Sequence, residues 1–286
     1  MKWTPGDRGN IEDYRGSTGG GVMRMGGLGL GGLLVVLLLS WLTGVDFLSL
    51  VSEPGAGPPT ETVGTGGSVA STPDEEKTVD FVDAVMADLQ ETWQAHLGGQ
   101  YSPTAVRLFR DAIQSGCGFG QSATGPFYCP ADHRVYLDLS FFSELRQRFR
   151  APGDFAQAYV VAHEVGHHVQ TITGLEGKLR QAQESRPDQA NQLSVRMELQ
   201  ADCYAGVWGH RASQSGRAAQ GKVELESDDL EEGLNAAAAI GDDRLQRQGG
   251  GRVAPESFTH GSSQQRVEWF RRGFESGDPR QCDTFR

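Results

Sequence analysis

Cysteines two residues apart are missing from this chain. Its four cysteines stand at 117, 129, 203 and 282, and without a C-x-x-C pair a thiolate zinc site is disfavoured. All four lie in the C-terminal two-thirds. Positive charge is also short: 26 Lys and Arg against 37 Asp and Glu leave a net charge of −11. A nucleic-acid partner would want a basic face, so that class drops out. No internal repeats are visible. Charge of either sign is absent from Met25 to Val45, which divides the chain.

Residues 1–24 are polar and Gly-rich, with Lys2, Arg8, Arg15 and Arg24 set against Asp7, Glu12 and Asp13. They read as an unfolded tail. The uncharged run 25–45 has Leu33 to Leu39 as its apolar heart and Trp41 near its far end. About 20 such residues suffice to cross a bilayer, and Trp suits the interface. The long polar lead and the lack of a small-x-small cleavage site favour a retained transmembrane anchor over a signal peptide. Gly27 and Gly31 add a weak helix-pairing pattern. Residues 46–71, with Pro54, Pro58 and Pro59 among Gly, Thr and Ser, read as a flexible linker. Basic residues before the run place the N-terminus in the cytoplasm and residues 72–286 outside the inner membrane.

The folded domain starts at Thr72-Pro73-Asp74-Glu75, which carries a Thr cap, a Pro at the first helical position and a Glu three residues after the cap. Val82, Val85, Met86, Leu89 and Trp93 continue as a helical stripe to Gly98-Gly99. Residues 101–109 lean towards strand, 117–130 form a glycine-punctuated hairpin or loop, and 134–139 alternate as a strand. Helices follow at about 140–149, 154–173, 185–208, 227–245 and from 262 onwards, with a polar segment after Gly174. The fold class is therefore α+β, mostly helical with a small sheet, preceded by one transmembrane helix.

The chemistry centres on His163-Glu164-Val165-Gly166-His167. Four residues is just over one helical turn, so the two imidazoles sit roughly 40° apart on one face and can share one metal ion. Glu164 lies one residue round the helix, placed to reach a water on that metal as a general base. A core helix gains nothing from two imidazoles beside a carboxylate. Catalytic zinc takes three protein ligands and leaves a position for water. A third ligand of the type Glu-x-x-x-Asp occurs at Glu76/Asp80, Glu184/Asp188, Glu198/Asp202 and Glu224/Asp228, so the pattern alone does not choose. Context favours Glu198, with Asp202 orienting a histidine, because these two carboxylates lie among apolar and small residues and would need a buried partner. Ala201, Ala205, Gly206 and Gly166 would let the two helices approach closely.

His168 is about 100° from His167 and reads as structural. His260, in Phe258-Thr259-His260-Gly261, is a candidate transition-state stabiliser; Asp242, in Gly241-Asp242-Asp243, could reach the site. His96, His133 and His210 have no partner pattern. The even cysteine count suits an oxidising compartment and predicts disulfides Cys117–Cys129 and Cys203–Cys282.

The segments 163–170, 198–208 and 258–261, with 126–130 and 241–244, resemble the bacterial neutral zinc metallopeptidases, from about residue 76 to the C-terminus. The resemblance implies a zincin-like domain with zinc on His163, His167 and Glu198. The reading is a membrane-anchored zinc endopeptidase acting on protein or peptide substrates. Its rivals are a zinc-stabilised envelope binding or assembly protein, against which an intact Glu164 argues, and a hydrolase of non-peptide bonds. The sheet edge near 135–139 would bind the substrate strand.

Overall fold

The computed structural model describes residues 1–16 and 71–285. In chain order the strands are β1 (Ile11–Asp13), β2 (Ala105–Phe109), β3 (Ala112–Ser115), β4 (Gly118–Gln121), β5 (Phe127–Cys129) and β6 (Arg134–Asp138). The α-helices are α1 (Pro73–Leu97), α2 (Ser140–Gln147), α3 (Asp154–Ile172), α4 (Leu175–Ser185), α5 (Ala190–Ala212), α6 (Asp229–Ala239), α7 (Asp242–Gln248) and α8 (Ser263–Ser276).

Four strands form one sheet in the order β1-β2-β6-β5. The first three run parallel, and β5 runs antiparallel along β6. Val106, Leu108, Val135 and Leu137 point from the sheet into a core shared with Val82, Val85, Met86, Leu89 and Trp93 of α1. That helix starts as its sequence dictates: the Thr72 hydroxyl accepts the Glu75 N–H at 3.2 Å, with Pro73 at the first position. β3 and β4 make a separate hairpin, which the Cys117–Cys129 disulfide joins to the end of β5.

On the other side of the core, α3, α5 and α8 cross at close quarters. A Cβ on Gly166 would stand 3.0 Å from the Ala201 backbone, so α3 lies directly on α5. Gly206 does not serve that contact. It faces α8, where a Cβ would fall 2.1 Å from the Phe270 carbonyl oxygen, and Gly273 of α8 returns the fit against Cys203. The capping box of Ser262 and Gln265 starts α8, and Gly277 at φ 58° ends it. The Cys203–Cys282 disulfide then fastens the tail back to α5 across a separation of 79 residues. Loop-closure entropy makes the short and long bridges worth about 3 and 4–5 kcal/mol respectively.

Several expectations are corrected. Residues 1–24 were expected to be an unfolded tail, but residues 1–16 are built into the domain. β1 adds to the parallel sheet beside β2, and Lys2 pairs its backbone with Glu224. Trp3 meets Phe81 edge-on, and the buried Asp83 carboxylate accepts the Arg8 and Asn10 backbone N–H groups. Arg15, 5% exposed, is enclosed by Asp13, Glu75 and Glu76. Residues 1–16 thus belong to the same compact unit as the helices and strands from residue 71 onwards.

The run at 25–45 and the linker up to residue 70 lie outside the described residues. Among the described residues no helix is long and apolar enough to cross a membrane. The fold class is corrected accordingly to α+β, mostly helical with a small sheet, with no membrane-spanning helix among the described residues. Two helix bounds also move. The polar segment after Gly174 is helix α4, and the expected helix 227–245 breaks at Gly241, where a Cβ would strike the Ser263 backbone at 2.3 Å. β6 is interior, flanked by β2 and β5, so among the described residues the edge strand beside the cleft is β5.

Candidate metal centre

α3 and α5 bring His163, His167 and Glu198 together, with one donor atom from each within 4.8 Å of the others. His163 Nε2 lies 3.1 Å from one Glu198 oxygen, and His167 Nε2 lies 3.6 Å from the other. A tetrahedral zinc with bonds near 2.0–2.1 Å holds its donors about 3.3–3.4 Å apart, close to these two separations. Two neutral imidazoles and one carboxylate are also the donor set that zinc prefers at a catalytic site.

The ring orientations decide whether those nitrogens can ligate. His163 Nδ1 donates to Asp202 at 2.8 Å, which turns Nε2 towards Glu198 and leaves it as the nitrogen a metal can take once its proton is displaced. Asp202 is fully buried and its charge is matched: Arg266 grips it with Nε and Nη2, each at 2.8 Å, and Tyr159 donates its hydroxyl. His167 Nδ1 meets the amide oxygen of Gln170 at 2.8 Å. Burial opposes a proton on His163, yet Asp202 and Glu198 outweigh it and push the ring up to about 10. His167 is raised as well, against burial, chiefly by Glu198. Burial also opposes the Glu198 charge, but the two histidines hold that carboxyl well below its usual range. A metal entering here displaces protons from the imidazoles.

Glu164, 8% exposed, lines the same cleft of about 510 Å³ as the three donors, His260 and Arg266. His260 reaches it from the loop before α8. The Asp242 carboxylate holds that loop by accepting the backbone N–H groups of Thr259, His260 and Gly261 at 2.8, 2.7 and 3.0 Å. Its second oxygen faces His260 Nδ1 at 3.3 Å, and this contact raises the ring's proton affinity. Phe141, Phe149, Val160, Ile240 and Leu245 make an apolar recess in the cleft, while Phe127 and Tyr128 of β5 form one wall.

His168 points away from the donors. Its Nε2 donates to the Ser102 carbonyl at 2.6 Å, so Nδ1 accepts from the Tyr128 hydroxyl at 3.0 Å. Cys203, next to Asp202, is bonded to Cys282; Cys117 and Cys129 stand apart from the cleft chemistry on the hairpin side. Sequence reasoning missed Arg266, Tyr159 and Gln170. Tyr159 is one turn before His163 and Gln170 nearly one after His167, and a polar group at that spacing on an apolar helix face was the available signal. Arg266 offered none, since only the fold brings it to Asp202.

The family described as "Putative neutral zinc metallopeptidase" matches residues 1–285. The chain is 49% identical to the uncharacterized protein YpfJ of Escherichia coli (strain K12) over 286 aligned positions, spanning 96% of this chain and 95% of that protein. It is 47% identical to the uncharacterized protein Rv2575 of Mycobacterium tuberculosis (strain H37Rv) over 212 positions, 73% of this chain and 68% of that one. No solved structure matches it. With a family match over nearly the whole chain, the chain belongs to this neutral zinc metallopeptidase family.

Proposed function

We propose that this protein is a zinc-dependent endopeptidase, with His163, His167 and Glu198 as the metal ligands. The observation that carries the reading is the pair of imidazoles whose Nδ1 protons are committed to Asp202 and Gln170, turning both Nε2 atoms towards Glu198. Zinc held there supplies the Lewis acidity that makes a water nucleophilic near neutral pH.

The remaining steps belong to the chain. Glu164 takes the proton from the attacking water and passes it to the leaving amine. His260, braced by Asp242, donates a hydrogen bond to the substrate carbonyl oxygen as negative charge builds on it. β5 offers the backbone groups of an open edge, on which an extended peptide can add as a further strand. A large apolar side chain of that peptide fills the recess between Phe141, Phe149, Val160, Ile240 and Leu245.

Metal analysis of the purified chain, run beside hydrolysis of a quenched peptide library, tests this. The expected result is one zinc per chain and internal cleavage that Glu164→Gln abolishes while keeping the metal. Zinc-loaded protein that cleaves no peptide, or Glu164→Gln with full activity, would overturn it.

A further inference from the structure

The two histidines are held by unlike chemistry. His163 leans on a carboxylate that a buried arginine neutralises, whereas His167 leans on a neutral amide. Gln170 is fully buried, and every polar group of its side chain is engaged. Its amide nitrogen donates to the Met197 carbonyl at 2.8 Å and to the Gln200 amide oxygen at 3.1 Å. The Gln200 nitrogen donates in turn to the Cys282 carbonyl at 2.9 Å.

These bonds permit one orientation. Main-chain carbonyls only accept, so the nitrogens of Gln170 and Gln200 must face Met197 and Cys282. The oxygen of Gln170 is then the atom facing His167, and an oxygen there requires the proton on Nδ1. Two carbonyls on other elements thus select the His167 tautomer whose Nε2 is free to bind a metal. The contact with Met197 adds a distance restraint, because Met197 immediately precedes Glu198. One amide grips a ligand ring on α3 and the main chain beside a ligand on α5.

We propose that Gln170 is the positioning residue that sets His167 against Glu198, and that Gln200 extends its hold to the C-terminal tail, which the Cys203–Cys282 bridge fixes to α5. This inference rests on the reading that His163, His167 and Glu198 bind zinc. Without the Gln170 amide the His167 ring is free to turn, and its other tautomer carries the proton on the nitrogen the metal needs. Losing such a partner typically costs 10–100-fold in metal affinity.

The test is zinc affinity of the full chain, measured by competition with a chromogenic chelator, together with the visible spectrum of the cobalt(II)-substituted protein. Gln170→Ala is expected to bind zinc about 10–100-fold more weakly than wild type and to shift or weaken the cobalt ligand-field bands. A residue that served stability alone would lower the melting temperature and leave those bands unchanged. Gln200→Ala, which touches no ligand, is expected to lose affinity in the same direction by less, and it carries the test should Gln170→Ala not fold. A folded Gln170→Ala with wild-type affinity and spectrum overturns the positioning role; wild-type affinity in Gln200→Ala overturns the extension to the tail. If the wild-type chain takes up no zinc, the metal-site reading falls and this inference falls with it.

Discussion

Two clusters of charged side chains flank helix α3, and both bring three potential ligands within reach of one point. Midway along the helix, His163 and His167 converge on Glu198. At its start, Asp154 joins Asp229 and Glu232. The second cluster is built around an ammonium: the Met1 amino group lies 3.0 Å from Asp154, 3.2 Å from Glu226 and 3.3 Å from Asp229. Glu232 accepts the Phe155 backbone N–H at 3.1 Å, capping the helix. Carboxylate proximity is therefore a poor guide to a metal. What separates the clusters is nitrogen donors whose protons are fixed elsewhere, which suit zinc, against oxygen donors alone, which a hydrogen-bonding cation satisfies equally well.

The comparison breaks most visibly in turnover. Glu164→Gln should lower peptide hydrolysis about 10²–10⁴-fold, the usual worth of a general base, while Asp229→Asn should leave turnover unchanged well below its melting temperature. Metal content gives the next contrast. His163→Ala and Glu198→Ala should each lose zinc under dialysis, and Asp154→Asn should retain it; zinc loss from Asp154→Asn would mean the clusters are not independent. Stability sharpens the same point. Arg266→Ala leaves the Asp202 charge buried and unmatched, so equilibrium denaturation should show a loss of about 3–5 kcal/mol. Removing one acceptor of the ammonium by Asp229→Asn should cost about 1–3 kcal/mol.

The smallest effect is a pH dependence. Burial disfavours the Met1 ammonium, but Asp154, Asp229 and Glu226 together raise its pKa above the ordinary 8.0. A group whose pKa is raised on folding contributes fully below its unfolded value and loses that contribution as pH climbs through the folded one. Stability should therefore decline on the alkaline side of pH 8, and Asp229→Asn should flatten that decline. An identical alkaline slope in both proteins would assign the effect to other groups.

What the sequence made readable follows the range of the interaction. The pairing of His163 with His167 is local, set by one helical turn, and the Thr72 and Ser262 caps are local too. Glu198 required an argument from its neighbours, and small residues on both helices made a close approach legible, although Gly206 serves α8 rather than α3. Arg266 was out of reach because a guanidinium declares no role until its partners are known, and Gln170 offered only its helical spacing from His167. The N-terminal segment was misread for a similar reason. Its strand is three residues long, and Asp80, Asp83 and Glu76, some 70 positions away, hold the loop around it. Composition sees polar residues and glycine there, and cannot see the distant acids.

β1 also has a consequence for assembly. Ile11 pairs with Val106, and Met1 reaches Asp154 and Asp229 across separations of 153 and 228 positions. During synthesis β1 must wait for residues 105–109 before its partner strand exists, and the Met1 contacts wait for residues 154 and 229. Contacts of such sequence separation make folding slow, and an unpaired strand beside an incomplete sheet is exposed to wrong partners meanwhile. β1, an outer strand of the sheet, is thus among the first pieces made, yet it has no strand to join until β2 follows it some 90 positions later.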